Sequence, residues 1–135
     1  MSVIKDLICK TGDTISFGDY LLDEKSKRSD FEHDGDLYKI KTFKEITKLE
    51  RNGMFVYESV PGTAVHEFVL TENGMEFQVE GADDTQITLG LEPDQEYTVY
   101  EDGVNRGKMK TVYGGKLVLS VELGADKLVS IEVIK

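Results

Sequence analysis

Apolar and polar side chains alternate along most of the second half of the chain. In the clearest run, the apolar residues Met75, Phe77 and Val79 are separated by polar residues at 76, 78 and 80. This is the two-residue period of a strand that buries one face. Runs with the same period occur near residues 87–91, 97–99, 117–123 and 129–133. The second half is therefore predicted to be β-structure.

Dipeptides that favour tight turns separate these runs, because Asn, Asp and Gly tolerate a positive φ. Hairpin turns are predicted at Asn52-Gly53, Asn73-Gly74, Asp102-Gly103 and Gly114-Gly115, and further turns at Pro61-Gly62 and Pro93-Asp94. Short strands with such turns, without alternating helices, predict an all-β fold. We expect one domain over residues 1–135, an antiparallel β-sandwich of jelly-roll or Ig-like type with about eight to ten strands. A weak boundary near residues 81–84 is expected to separate an N-terminal sheet from a C-terminal one.

The segment from Thr42 to residue 60 fits two structures. Thr42 and Glu45 match a helix capping box, and Phe43, Ile46 and Leu49 recur at helical spacing. The alternative is a strand over residues 45–51 that turns at 52–53 into a second strand rich in strand formers. We favour the hairpin because the flanking elements are strands, so the fold contains at most one short helix.

The first 36 residues are less regular. Residues 14–17 and 19–22 are candidate strands. Residues 24–36 are almost wholly polar and predict a long loop, and long loops in small domains are often functional or mobile.

Charge narrows the range of partners. The chain carries 26 acidic and 16 basic residues, for a net charge of −10. Its mean field repels phosphate backbones, which disfavours nucleic acids and anionic membranes as partners. The densest basic group along the chain, Lys25, Lys27 and Arg28, is flanked by acidic residues.

The single cysteine, Cys9, favours a reducing compartment, since it cannot form an internal disulfide. The N-terminal residues lack the pattern of a secretion signal, and no run approaches the ~20 apolar residues that span a bilayer. We expect a cytoplasmic protein in which Cys9 acts as a small apolar side chain in or near a strand.

Alternating carboxylates suggest a calcium site. Asp30, Glu32, Asp34 and Asp36, with Gly35, resemble the first half of a calcium-binding loop, where alternate oxygens surround the cation. Lys41 stands at the twelfth position, where a bidentate Glu is required. The alternative is a solvated acidic loop with no cofactor, which we favour.

Catalytic motifs are weak. No nucleophile elbow is present, and neither His33 nor His66 has a second ligand at metal-binding spacing. We expect His66 to be packed or hydrogen-bonded. The carboxylates to consider as a catalytic pair lie on predicted strands: Glu58, Glu67 and Glu76.

Six tyrosines could form an aromatic platform for a sugar ring, although core or interface packing is the simpler role for most of them. They are Tyr20, Tyr38, Tyr57, Tyr97, Tyr100 and Tyr113.

Two segments, residues 16–23 (SFGDYLLD) and 57–65 (YESVPGTAV), carry a resemblance to a family. The chain resembles short bacterial proteins that are labelled endosialidase-like or left uncharacterised. The resemblance implies a small bacterial domain connected with glycans. The resemblance does not imply sialidase activity. The chain has only three arginines in all and no tryptophan with which to form an Asp-box. Residues 97–133 are also similar to the last strands of small β-sandwich domains of polysaccharide-degrading enzymes.

The sequence therefore favours a non-catalytic module that binds a ligand or a protein, and whether the chain is an enzyme stays open. One alternative is a glycan-binding protein, with or without calcium. Another is a small glycan-active enzyme of the endosialidase-like type. A third is self-association through an exposed strand edge.

Overall fold

The computed structural model describes residues 4–124 and 127–135, in which thirteen strands form two antiparallel sheets. The strands are β1 (Ile8–Thr11), β2 (Thr14–Phe17), β3 (Ser26–His33), β4 (Asp36–Phe43), β5 (Ile46–Arg51), β6 (Met54–Val60), β7 (Ala64–Thr71), β8 (Gly74–Glu80), β9 (Thr85–Gly90), β10 (Glu96–Glu101), β11 (Val104–Lys110), β12 (Lys116–Val121) and β13 (Val129–Ile134). The helical segments are two 3₁₀ turns, Lys5–Leu7 and Tyr113–Gly115. Neither comes near the length or apolarity of a membrane-spanning helix, and the described residues contain no other helix. The predicted all-β sandwich is confirmed, with more strands than expected.

The two sheets interleave along the chain. The seven-stranded sheet has the order β1-β2-β7-β8-β13-β10-β11, and the six-stranded sheet has the order β12-β9-β6-β5-β4-β3. Between its described strands the chain crosses from one sheet to the other six times, so each sheet contains strands from both halves of the sequence. The predicted boundary near residues 81–84 is wrong, because this segment joins β8 of one sheet to β9 of the other.

The core lies between the sheets, where the inward-facing members of each alternating run meet. Four aromatic rings fill its centre, Tyr57 from the six-stranded sheet and three phenylalanines from the other. The Phe17 ring lies 5.3 Å from that of Tyr57 and 5.4 Å from that of Phe68, both edge-on. Tyr57 meets Phe77 edge-on at 5.6 Å. Such edge-to-face pairs add about 0.5–1.5 kcal/mol each beyond the burial of apolar area.

Residues 42–51 form strands, as the favoured alternative predicts. β4 and β5 pair antiparallel, with Thr42 opposite Thr47 and Phe43 opposite Ile46. β5 then turns at Asn52-Gly53 into β6. Both turn residues have positive φ, 51° and 79°, so the predicted hairpin turn is confirmed.

The predicted long loop over residues 24–36 is wrong. Most of it is β3, the edge strand of the six-stranded sheet, which pairs only with β4. An edge strand is solvated along one side, and only Phe31 of β3 packs against the core. Because β3 buries so little, its sequence lacks the alternation that identifies the other strands. Asp34-Gly35 closes the β3–β4 hairpin, with φ values of 50° and 82°.

Three other local predictions also need correction. Residues 19–22 form a turn, in which the Leu21 N–H donates to the Asp19 carboxylate at 3.0 Å. The β7–β8 turn is centred on Glu72 and Asn73, one residue earlier than predicted. Gly114-Gly115 lies in a 3₁₀ turn before β12.

A buried hydroxyl network ties the six-stranded sheet to the loop before β7. Thr47 Oγ1 donates to the Thr63 carbonyl at 2.8 Å and accepts from the Thr63 N–H at 3.0 Å. Since the single Thr47 hydroxyl hydrogen is used, the 2.8 Å bond to Thr42 Oγ1 must be donated by Thr42. Thr42 in turn accepts the Asp19 N–H at 2.9 Å. The three threonine side chains are fully buried, and every bond-forming atom of this network has a partner.

Candidate functional site

The seven-stranded sheet has an apolar inner face, which packs against the core, and a polar outer face. Strand alternation that buries Phe77 and Ile131 turns Glu76, Gln78 and Glu132 outward. These outward side chains lie on the central strands of the sheet, where neighbouring strands flank them on both sides. The face therefore presents a broad surface of hydrogen-bonding groups.

Cross-strand pairing arranges these groups in rows. Glu76 of β8 lies directly opposite Val69 of β7 on one side and Glu132 of β13 on the other. Glu132 lies opposite Tyr100 of β10, and Tyr100 lies opposite Asn105 of the edge strand β11. Directly opposed residues have Cβ atoms about 5 Å apart, so two carboxylates and one phenol lie side by side.

Two β-bulges bend the strands that border this surface. In β7 the register shifts between His66 and Val69, and Glu67 within the bulge has a φ of 53°. The Glu67 N–H donates to Ser16 Oγ at 3.2 Å. The second bulge is in β11, which has one extra residue opposite the segment that ends at Tyr100 of β10. Bulges increase local twist and re-aim side chains, and they are frequent beside functional sites.

The turn between β10 and β11 is fixed beside the same surface. Asp102 and Gly103 have φ values of 51° and 80°, so the predicted hairpin turn is confirmed. The Ser130 N–H donates to Asp102 Oδ1 at 2.9 Å, and the Asp102 N–H donates to the Ser130 carbonyl at 2.8 Å. This pair of bonds holds the turn against β13.

These features enclose a depression of about 410 Å³. We call it the outer-face groove and define it by six side chains: Glu67, Glu76, Gln78, Tyr100, Ser130 and Glu132. Its volume lies within the range of small-molecule sites. A second depression of about 570 Å³ adjoins it and shares Glu67 and Gln78.

A hydrogen-bonded histidine lies in the second depression. His66 Nε2 and Glu80 Oε2 are 2.5 Å apart, and the Tyr20 hydroxyl donates to Glu80 Oε1 at 3.2 Å. The expectation that His66 is hydrogen-bonded is confirmed. The Glu80 carboxylate therefore orients both a ring nitrogen and a phenol beside the outer-face groove.

Cys9 lies in β1, half-buried, as expected for a small side chain in a strand. It is opposite Ser16 and lines the second depression. His33 ends β3, where its Nε2 is 3.3 Å from the Asp34 carboxylate.

The structure brings together two of the three predicted carboxylates. Glu67 and Glu76 line the outer-face groove. Glu58 lies on the six-stranded sheet, opposite Lys48 and Thr88, and takes no part in the groove.

The six tyrosines do not form a platform. Three are core residues, namely Tyr38, Tyr57 and Tyr97. Tyr20 bonds to Glu80, and Tyr113 lies 96% exposed on a 3₁₀ turn. Tyr100 alone lines the outer-face groove, where its half-buried ring lies opposite Glu132.

The predicted calcium ligands lie along the β3–β4 hairpin. Asp30 lies in a bulge of β3 with a φ of 58°, Glu32 is exposed, and Asp34 is in the turn. Asp36 accepts from Arg51 Nε and from Asn52 Nδ2, both at 2.8 Å. Those bonds, from Asn52 first and then Arg51, hold the pKa of Asp36 below its ordinary value.

In the described part of the chain, no three histidine, cysteine or carboxylate side chains converge to hold a metal ion. The Asp36 carboxylate is already engaged by two donors, so geometry gives the calcium prediction no support.

Sequence patterns alone did not identify Gln78, Ser130, Glu132 and Tyr100 as neighbours. Each was visible as the polar member of an alternating run. Their convergence depends on β13 lying between β8 and β10, which is a long-range pairing that alternation does not specify.

Comparisons of the chain with protein-family models, with curated proteins and with solved structures found no match. The predicted resemblance to endosialidase-like bacterial proteins therefore stays a prediction, and function has to be argued from the site.

Proposed function

We propose that this chain is a non-catalytic carbohydrate-binding domain and that its site is the outer-face groove. The observation that carries the proposal is the convergence of one tyrosine ring with amide, hydroxyl and carboxylate groups in a single depression on a sheet. A sugar presents an apolar C–H face and a rim of hydroxyls. The Tyr100 ring can pack against the C–H face. Gln78, Glu76 and Glu132 can bond to the hydroxyls, since carboxylates accept hydroxyl hydrogens.

The groove favours neutral sugars over acidic ones. Three of its six side chains are carboxylates, and Glu80 lies next to them in the adjoining depression. The chain as a whole carries a net charge of −10. An anionic sugar such as a sialic acid would be repelled by these charges, so the proposed ligand is a neutral oligosaccharide.

A thermal-unfolding screen with neutral and acidic oligosaccharides, each with calcium or with a chelator, tests the proposal. A ligand at 100 times its Kd adds about 2.7 kcal/mol of stability, which for a domain of this size raises Tm by several degrees. Tyr100→Ala should abolish the shift, while Tyr113→Ala, which removes an exposed ring elsewhere, should keep it. Absence of a shift with every neutral sugar, or equal loss in both variants, would contradict the proposal. A shift that requires calcium would instead support the predicted acidic site.

A second candidate function is glycan hydrolysis, which is favoured by the pairing of Glu76 and Glu132. Their Cβ atoms are about 5 Å apart, which leaves their carboxyl groups within reach of the separation of about 5–5.5 Å that retaining glycosidases use. Glu76→Gln distinguishes the candidates. It should abolish turnover if the pair is catalytic, whereas a binding domain shows no turnover in either form.

The proposed location is the reducing cytoplasm of a bacterium. Cys9 is an unpaired thiol, and it lines a depression next to the groove. Mass spectrometry of the protein isolated without reductant checks this: Cys9 is expected as a free thiol, and a mixed or intermolecular disulfide at Cys9 would contradict a reducing location.

A further inference from the structure

The outer face of the six-stranded sheet carries a lysine array that is independent of the proposed function. Lys27 of β3 lies directly opposite Lys41 of β4, and Lys41 lies directly opposite Lys48 of β5. Lys39 lies two residues before Lys41 in β4, so strand alternation places it on the same face. Lys25 lies two residues before Lys27 in the sequence. With neighbouring strands about 4.8 Å apart, the row spans about 10 Å.

This arrangement is unfavourable for the isolated protein. Like charges directly opposite each other on a sheet are destabilising. Partial burial, followed by the charges of Lys25, Lys27, Lys48 and Lys39, lowers the pKa of Lys41 below its ordinary value. Four lysines therefore lie on one face of a chain whose net charge is −10, and the charge of Lys25 also acts on Lys41.

Among the described residues, the carboxylates paired with the array lie on its β5 side. Glu50 lies opposite Lys39, its Oε2 is 3.7 Å from Lys48 Nζ, and Lys48 also lies opposite Glu58 on β6. The centre and the β3 end of the row consist of Lys41 and Lys27, which face each other. The uncompensated positive charge is thus concentrated over β3 and β4.

The size of the array limits its ligand. At physiological ionic strength charges are screened over about 8 Å, so a ligand held among these ammonium groups is largely shielded from more distant carboxylates. A long polyanion would extend past the array onto the acidic surface and be repelled. Lysines act as point charges, which suits tetrahedral oxyanions, whereas planar bidentate recognition is typical of arginine.

We propose that the lysine array is a binding site for a compact anion that carries two or more phosphate-type groups. The ammonium groups of Lys27, Lys41 and Lys48 hold the anion across three adjacent strands. Binding relieves the repulsion within the array, so the anion also stabilises the fold.

Isothermal titration calorimetry with inorganic tripolyphosphate at several salt concentrations tests the site. We expect one anion per chain, with affinity falling as salt rises. Lys41→Gln should weaken binding about tenfold, the effect of losing one charge-assisted hydrogen bond. Lys108→Gln removes an exposed lysine of the seven-stranded sheet and makes the same change in net charge, so it should leave affinity within about twofold.

The thermal stability of the variants provides a second readout. Lys41→Gln relieves repulsion, so its Tm without the anion should equal or exceed that of the wild type, and Lys27→Gln on the edge strand repeats the test. No binding at millimolar tripolyphosphate would overturn the proposal, as would equal weakening by Lys41→Gln and Lys108→Gln. Tighter binding of a duplex oligonucleotide than of tripolyphosphate at the same salt would also overturn it, in favour of a nucleic-acid surface.

Discussion

Thr47→Val removes one hydroxyl from the buried network and keeps the shape of the side chain. Thr47 Oγ1 is the partner of both the Thr63 N–H and the Thr63 carbonyl. It also accepts the hydroxyl of Thr42 at 2.8 Å. All three threonines are fully buried, so water cannot replace the lost partner without a structural change.

The expected loss of stability follows from the groups left without a partner. The two backbone groups of Thr63 each cost about 1–3 kcal/mol when buried and unsatisfied. The new methyl group regains about 0.8 kcal/mol. The net loss is about 3 kcal/mol. For 135 residues, at about 2.1 cal/mol/K of unfolding entropy per residue, this lowers Tm by about 10 °C.

Urea unfolding followed by circular dichroism measures this loss, with an unchanged m-value showing that the unfolded state is the same. Thr88→Val is the matched control. It makes the same substitution on the same sheet, but at an outward-facing, half-buried position of β9, and it should change stability by less than about 0.5 kcal/mol. A Thr47→Val variant within 0.5 kcal/mol of the wild type would refute the reasoning.

Two further predictions concern charge and backbone geometry. Because the folded-state pKa of Asp36 is lowered, its carboxylate contributes stability that is complete above its unfolded-state pKa and is lost as pH falls through the folded value. Asp36→Asn should therefore be less stable than the wild type at pH 7, with a difference that shrinks below about pH 4 in urea titrations; a difference independent of pH would contradict this. Gly114 and Gly115 have φ values of 78° and 83°, but only at Gly115 would a Cβ lie 2.2 Å from the Leu91 carbonyl oxygen. Gly114→Ala should cost about 1 kcal/mol of conformational strain, and Gly115→Ala should lower the unfolding free energy by at least about 2 kcal/mol more; equal costs would show that the loop moves freely.

Alternation predicted β8, β9, β10, β12 and β13 because each of them buries one face against the core. The runs at Met75–Val79 and Val129–Val133 became β8 and β13, with the apolar members buried. β3 was not predicted because it does not bury one face in this way. It is an edge strand that buries little, so its sequence does not alternate and reads as a loop.

The site was harder to predict because it depends on which strands become neighbours. Glu67 and Glu76 were proposed from their places on strands, and β7 and β8 are joined by a short turn that makes them adjacent. Glu132 and Tyr100 reach the groove through pairings over longer distances in the sequence. The lysine array was also not predicted, since Lys27, Lys41 and Lys48 come from three strands and are separated along the sequence by acidic residues.

The most direct test of carbohydrate binding is a ¹H–¹⁵N NMR titration of the protein with neutral oligosaccharides. The account predicts saturable shift changes that centre on the amides of Gln78, Tyr100 and Ser130, and that disappear in Tyr100→Ala. It also predicts no comparable change at Lys41, on the opposite sheet. Saturable changes centred elsewhere, or none with any neutral sugar, would contradict the claim that the outer-face groove is a carbohydrate site.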